Sequence, residues 1–138
     1  IPKNSNLQII EESTFQESNI KSIYIPFNVK IISSFSFDRC SNLTKVDIPT
    51  SSNLQTIEKG AFRESKIKDF FIPSNVSKIC EKAFQLCSHL QIIEISEESK
   101  LESFPLSAFD YCSGQIVMIP SSLVKLIYKI KKSQLVIY

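Results

Sequence analysis

Glycine, histidine and tryptophan are nearly missing from this 138-residue chain, which has two glycines, one histidine and no tryptophan. With only Gly60 and Gly114 available, the sequence has no glycine-rich loop of the kind that cradles phosphate groups. The single histidine, His89, occupies the position of Asn42 in an equivalent segment, which indicates a turn residue. A Cys-His pair with Cys87 would need a third group to orient the imidazole, and the sequence supplies none. We therefore predict a protein that is not an enzyme and uses no cofactor.

Long apolar runs and a large charge of one sign are missing as well. No run approaches the roughly 18 apolar residues that a membrane-spanning helix needs. The net charge is only +2, and the lysines alternate with carboxylates, which does not favour binding to nucleic acid. Hydrophobic residues make up 43% of the chain, which is enough to bury the core of a single domain.

What the chain does contain is a repeat marked by phenylalanine. Each copy has an aliphatic residue eight positions before the phenylalanine, an apolar residue five before it and a small residue three after it. Such a period predicts a solenoid, in which each copy buries its apolar face against its neighbours. The copies are centred on Phe15, Phe37, Phe62, Phe84 and Phe109, with spacings of 22, 25, 22 and 25 residues.

The alternating spacings reveal a longer period of 47 residues. Residues 6–52 align with 53–99 without a gap and share 21 identical positions, which indicates duplication of a two-copy unit. Ile1 and Pro2 align with Ile48 and Pro49 at the same offset, so we expect a fragment of a longer array. We predict one domain over residues 1–138, in which 121–138 form a shortened terminal repeat or cap.

The close of each copy has the alternation of a half-buried strand, as in Ile23-Tyr24-Ile25 followed by proline. Stacked copies of this segment predict a parallel sheet along one side, with a second extended segment on the other. The phenylalanine segments are too short for stable helices, so we expect one or two helical or 3₁₀ turns. The rings should stack as a column in the core. Phe62→Ala should therefore unfold the middle of the array, whereas Arg63→Ala should have little effect.

Three of the four cysteines share one column of the repeat. Cys40, Cys87 and Cys112 alternate there with Ser18 and Ser65, which favours a small buried side chain over a bond. A disulfide between the stacked Cys87 and Cys112 is an alternative, although its geometry is demanding. The spacing has no paired CxxC, so a zinc site has no support.

Segments 54–62 and 83–95 resemble the BspA-like leucine-rich repeats, whose pattern has the form LxxIxxxAFxxCxxLxxIxIPxxV. The resemblance extends over residues 1–127. It implies a right-handed, β-rich α/β solenoid with a parallel sheet on its concave face and short helical turns. It also implies a non-enzymatic protein-binding or adhesion module on the surface of bacteria or protozoan parasites. Two departures are the missing glycine after the second aliphatic position and a degenerate final copy.

The residues between the inward aliphatics of each strand are expected to face the concave side. Several of them are apolar and are flanked by charges, which is typical of a protein-binding face. The alternative is that aromatic and β-branched residues are present because they favour strands. The candidate ligand-binding residues are Ser22, Tyr24, Lys45, Asp47, Asp69, Phe71, Ile92, Glu94, Ile116 and Met118.

Two further features concern the surface. The lysines of the tail at 121–138 would cap the array, with contact between this basic segment and an anionic membrane as the alternative. Asn42-Leu-Thr44 and Asn75-Val-Ser77 are glycosylation sequons that matter only in a secretory pathway. We predict adhesion or binding of a host or matrix protein, at the cell surface or after secretion; an intracellular scaffold in the cytoplasm is the alternative.

Overall fold

Short strands recur along the chain, and exposed or half-buried side chains alternate with buried ones within each strand whose side chains the structure describes. The computed structural model describes residues 1–102 and 105–112, together with the backbone of strands 116–119 and 135–137. The strands are β1 (Ile9–Ile10), β2 (Ser22–Tyr24), β3 (Ile31–Ile32), β4 (Lys45–Asp47), β5 (Thr56–Ile57), β6 (Asp69–Ile72), β7 (Lys78–Ile79), β8 (Ile92–Ile95), β9 (Ile116–Ile119) and β10 (Leu135–Ile137).

Every strand pair is parallel, and the pairs form two series on different parts of each coil. The strands β1, β3, β5 and β7 form one four-stranded sheet in that order. In the other series β2 pairs with β4, and β6, β8, β9 and β10 form a second four-stranded sheet. Because the chain alternates between the two series, it winds as a β-solenoid. This architecture confirms the predicted repeat fold; the handedness of the coil stays a prediction.

The five marker phenylalanines stack as one column through the core, as predicted. Neighbouring rings have centroids 5.1 to 5.4 Å apart and are inclined by 12° or less. The rings of Phe37, Phe62 and Phe84 are fully buried, and Phe15 in the first coil is only partly buried. Phe70 joins the column at an angle, with its ring 5.2 Å from Phe62 and 4.7 Å from Phe84. Repeated ring stacking of this kind holds successive coils in register.

The turns that carry these rings alternate two kinds of backbone hydrogen bond. In the first copy the amide of Gln16 donates to Ser13 within the turn, whereas the amide of Phe15 donates to Ser36 of the next coil. Ser13 and Glu17 have φ values of 55° and 58°, and equivalent residues of other copies are also left-handed. The changes in the sign of φ interrupt any continuous helix. Among the described residues, only Leu106–Phe109 forms the 3₁₀ turn that the sequence predicts; the other copies have successive non-helical turns.

Cys40, Cys87 and Cys112 are all buried, and Cys40 and Cys87 form no disulfide. Each thiol donates to the carbonyl oxygen of the phenylalanine in the preceding copy, as Cys40 does to Phe15 at 3.0 Å and Cys87 to Phe62 at 3.0 Å. Burial raises the pKa of Cys40 above its usual value. Serine and cysteine alternate in this column because either side chain is small and can donate one hydrogen bond.

The buried carboxylate of Asp38 forms an ion pair with the partly exposed guanidinium of Arg63, which bears on the expectation for Arg63. The Asp38 side chain is fully buried, and its carboxylate accepts hydrogen bonds from Arg63 Nε at 2.7 Å and Arg63 Nη2 at 3.1 Å. Gln16 and Arg39 also donate to this carboxylate, so it connects three coils. Removing Arg63 would leave a buried charge without its main partner. We therefore expect Arg63→Ala to destabilise the chain, in place of the small effect expected from the sequence, whose spacing did not reveal this partner.

Candidate functional site

The outward side chains of β2, β4, β6 and β8 form one surface, which we call the strand face; it corresponds to the predicted concave side. Each strand places two of the candidate residues outward on either side of a buried one. These outward residues are exposed or half-buried: Ser22 and Tyr24 on β2, Lys45 and Asp47 on β4, Asp69 and Phe71 on β6, and Ile92 and Glu94 on β8. Ile116 and Met118 lie in β9, in register with Ile92 and Glu94, and their side chains lie outside the described residues.

Strand pairing on this side is interrupted between β4 and β6, since the two strands belong to different sheets. The inward residue at the centre of β6 is Phe70, whereas β2, β4 and β8 have Ile23, Val46 and Ile93 there. Its ring lies against two rings of the core column and is larger than an aliphatic side chain. On its other side β6 pairs with β8 over all four residues, Phe70 with Ile93 among them.

A cleft of about 390 Å³ opens on the strand face at this interruption. The residues that line the cleft are Thr44, Lys45 and Val46 from one coil, Lys68, Asp69, Phe70 and Phe71 from the next, and Ile92 and Glu94 from the third. Five of the predicted residues therefore come together around one cavity. Apolar walls at Phe71 and Ile92 with charged side chains at the margin suit the capture of an amphipathic partner segment.

The charges of the strand face are partly neutralised by local pairs. Lys45 Nζ lies 2.9 Å from Asp47 Oδ1 on the same strand, and both side chains remain substantially exposed. The Lys3 ammonium lies 5.3 Å from the centre of the Tyr24 ring, within cation–π distance. Tyr24 is therefore partly covered by the chain's own lysine, whereas Phe71 lines the cleft.

Sequence reasoning missed Thr44 and Lys68 as lining residues. Both precede their strands by one residue, where strict alternation assigns no outward position. The available signal was spacing: the buried residues Ile67 and Phe70 are three positions apart, so two exposed residues, Lys68 and Asp69, lie between them. An outward bend before each strand thus widens the strand face beyond the predicted residues.

A second, polar groove of about 310 Å³ lies at the joints between coils, lined by Asn53, Gln55, Asn75, Ser77 and Lys100. Asn75 Nδ2 donates to the Ser52 carbonyl at 2.9 Å, and Lys100 Nζ donates to Asn75 Oδ1 at 2.8 Å. Asn28, 47 residues earlier, makes the same bond to the Ser5 carbonyl at 3.3 Å. These amides therefore serve mainly to connect successive coils.

The two glycosylation sequons differ in accessibility. Asn42 is exposed in a turn, and the Thr44 hydroxyl of its sequon donates to the Lys21 carbonyl at 3.3 Å. Asn75 is half-buried, and both ends of its amide are engaged. Glycosylation at either position stays a prediction, and the geometry favours Asn42.

The described part of the chain contains no group of histidine, cysteine and carboxylate side chains that could hold a metal ion. His89 is exposed in a turn, where its Nδ1 lies 3.1 Å from the Ser88 hydroxyl. No helix among the described residues has the length and apolar character needed to cross a membrane. The tail at 121–134, for which membrane contact was the alternative prediction, lies outside the described residues.

Solved structures share this architecture. A leucine-rich repeat protein from Bacteroides ovatus superposes with a TM-score of 0.74 and 27% identity, over 87% of this chain and 30% of that protein. The pneumococcal vaccine antigen PcpA has a TM-score of 0.74 and 16% identity, over 99% of this chain and 40% of the antigen, which supports the fold alone. A leucine-rich cell surface protein from Faecalibacterium prausnitzii has a TM-score of 0.56 and 24% identity, over 80% of this chain and 35% of that protein. The chain thus spans less than half the length of each of these proteins.

No curated protein matches the sequence at a significant level. The sequence model described as "BspA type Leucine rich repeat region" matches residues 8–133 with six copies. This match covers most of the chain, and it agrees with the stacked phenylalanine column and the parallel strand pairing. The chain therefore belongs to the BspA-type leucine-rich repeat family.

Proposed function

We propose that this chain is a recognition module that binds another protein through its strand face. Membership in the family supports a role in protein interaction, and repeats of this kind are typically binding modules without catalytic activity. The observation that carries the proposal is the cleft beside Phe71, where apolar walls meet charged margins on an otherwise regular sheet. Such a surface buries an apolar anchor while polar groups at its rim exclude water.

The finer form of the proposal is adhesion at a cell surface, with a host or matrix protein as the partner. The similarity to a cell surface protein of Faecalibacterium prausnitzii supports this location. Labelling of intact cells with a membrane-impermeant biotin reagent tests it. Labelled protein supports the surface location, and labelling only after lysis favours the cytoplasmic scaffold.

The binding test uses a panel of immobilised extracellular-matrix and serum proteins and compares variants of the chain. Tyr24→Ser combined with Phe71→Ser should abolish capture by any panel member that binds the wild-type chain. Phe27→Ser is the matched control, because Phe27 is an exposed aromatic residue outside the strand face. Binding that survives the double substitution, or that is lost equally in the control, would contradict recognition through the strand face.

A further inference from the structure

Lysines are concentrated along the margin of the strand face where the strands begin. Lys21 and Lys68 each precede a strand by one residue, Lys45 begins β4, and Lys66 lies before the buried Ile67. All four lysines are exposed. We call these four residues the cationic margin.

Three members of the cationic margin have no local counterion. Lys21, Lys66 and Lys68 take part in none of the ion pairs of the described chain, in contrast to Arg63 and Lys59, which pair with Asp38 and Glu81. Unpaired surface lysines are ordinarily solvated and do not by themselves indicate a ligand. Lys45 and Lys68, however, also line the cleft, together with Phe71 and Ile92.

The carboxylates of the strand face lie mostly at the opposite end of the strands. Asp47 and Glu94 follow the buried central residue of β4 and β8, whereas the lysines precede it. Asp69 is the one acid among the described residues on the lysine side of the cleft. At the cleft, an anionic group on a partner is therefore attracted to Lys68 at the strand start and repelled by Glu94 near the strand end, which favours one orientation of that partner across the face.

Combining the cleft with this charge asymmetry, we propose that the strand face binds an extended acidic segment of a protein. The carboxylates of the segment pair with the cationic margin, and a neighbouring apolar side chain enters the cleft beside Phe71. This inference rests on the proposed function and specifies the chemistry of the partner.

The spacing of the lysines fits an extended chain. Lys21 and Lys68 occupy equivalent positions two coils apart. The column rings of these coils are spaced 5.1 Å apart from Phe15 to Phe37 and again from Phe37 to Phe62, so the backbones of the two lysines are separated by about 10 Å. An extended peptide rises about 3.3 Å per residue, so this distance corresponds to about three residues. A segment with two or three acids over four to six residues thus reaches the length of the margin.

The experiment selects ligands from a phage-displayed library of random peptides on the immobilised chain. We expect the enriched peptides to carry two or more Asp or Glu residues beside an apolar residue. Their affinity, measured by fluorescence anisotropy, should fall about tenfold or more for Lys66→Glu combined with Lys68→Glu, and it should weaken as salt rises. The matched control is Lys78→Glu combined with Lys82→Glu, which changes the net charge equally at exposed lysines outside the strand face that also have no ion pair.

The outcomes separate this inference from the proposed function. Enriched peptides that need Tyr24 and Phe71 but carry no acids would overturn the acidic partner and leave the strand face as a binding site. Failure to enrich any peptide that depends on the strand face would count against both. An equal loss of affinity in the two charge-reversed variants would show that affinity depends on net charge and not on the position of the lysines, and it would overturn the inference. Binding of a sulfated oligosaccharide through these lysines, with no peptide enriched, would assign the margin to a polyanion instead.

Discussion

The carboxylate of Asp38 illustrates how a single residue joins coils that are distant in sequence. Its oxygens accept hydrogen bonds from Gln16 in the first coil and from Arg63 in the third. The side chain is fully buried, so the energy of its charge depends on these donors. A position that the repeat pattern leaves polar is therefore part of the core.

Replacing Arg63 tests this role. We expect Arg63→Ala to lower the free energy of unfolding by about 1.5–3 kcal/mol, because a buried carboxylate loses two charge-assisted hydrogen bonds. Lys66→Ala, at an exposed lysine of the same coil without an ion pair, is the control and should change stability by less than about 0.5 kcal/mol. Urea denaturation followed by circular dichroism measures both. Equal effects of the two substitutions would mean that the ion pair of Arg63 with Asp38 does not stabilise the folded chain.

The same carboxylate makes stability depend on pH. Burial alone would raise the pKa of Asp38, but the hydrogen bonds from Arg63, Gln16 and Arg39 outweigh it and lower the pKa below its usual value of 3.8. A lowered pKa in the folded state gives stability that is present above the unfolded value and is lost as the pH falls through the folded value. We therefore expect the destabilisation by Asp38→Asn to be largest above about pH 5 and to shrink as the pH falls below about 4. Urea titrations at a series of pH values check this; a difference that is constant with pH would contradict it.

Replacing Ser36 should raise the stability of the folded chain, in contrast to the substitutions at Arg63 and Asp38. Its side chain is fully buried, and its hydroxyl has no hydrogen-bond partner among the described residues. Equivalent positions directly before the phenylalanine are Ala61, Ala83 and Ala108. We expect Ser36→Ala to stabilise the chain by about 1 kcal/mol, because it removes an unsatisfied polar group from the core. A thermal melt that shows no increase in Tm would indicate that the hydroxyl is satisfied by a bound water.

At the residue scale, then, the sequence predicts columns well and individual partners poorly. Interchange of serine and cysteine between copies correctly indicated small buried side chains at Ser65 and Cys87. The pair of Asp38 and Arg63 was missed because the position directly after the phenylalanine changes its charge from copy to copy, so no column marked it. The residues there are Gln16, Asp38, Arg63, Gln85 and Asp110. A contact between side chains that does not recur from copy to copy can be identified only in the three-dimensional structure.

At the scale of the structural element, the phenylalanine column and its turns connect successive coils. The periodicity of the sequence was sufficient to predict stacking. Each phenylalanine follows the apolar position of its copy by five residues, so strands paired in register place the rings over one another. The turns were less predictable, since the left-handed residues at Phe35 and Leu86 are not of the types that favour positive φ. The interrupted pairing of β4 and β6 was also unpredicted.

The column should be most sensitive to substitution at its centre. Phe62 is fully buried and contacts the rings of Phe37, Phe70 and Phe84, whereas Phe15 is partly exposed and stacks on Phe37 alone. We expect Phe62→Ala to cost about 3–5 kcal/mol of unfolding free energy and Phe15→Ala about half as much. Denaturant midpoints of the two variants provide the comparison. Equal losses would mean that the contribution of each ring to stability does not follow its burial and its number of ring contacts.

At the scale of the whole molecule, stability depends on how many neighbours each coil has. In a solenoid each coil contacts only the coils beside it, so a coil with one neighbour lacks half of the usual interface. Leu7 in the first coil is 38% exposed, whereas its counterpart Leu54 is fully buried. The duplicated unit thus places two related segments, identical at 9 of 15 positions, in different environments, at residues 6–20 and 53–67.

Hydrogen exchange of these two segments, corrected for their intrinsic exchange rates, tests the effect of neighbouring coils. We expect amides of residues 6–20 to exchange about tenfold faster or more than those of 53–67, because the first coil opens without unfolding the rest. Mass spectrometry of peptic peptides measures the ratio. As a control, a copy of residues 24–47 placed before Ile1 reproduces the junction at Asp47 and Ile48 and supplies the missing neighbour, so protection of 6–20 should rise towards that of 53–67. If the two segments exchange equally in the chain as it stands, the array unfolds as a single cooperative unit and the exposed first coil is not its weakest part.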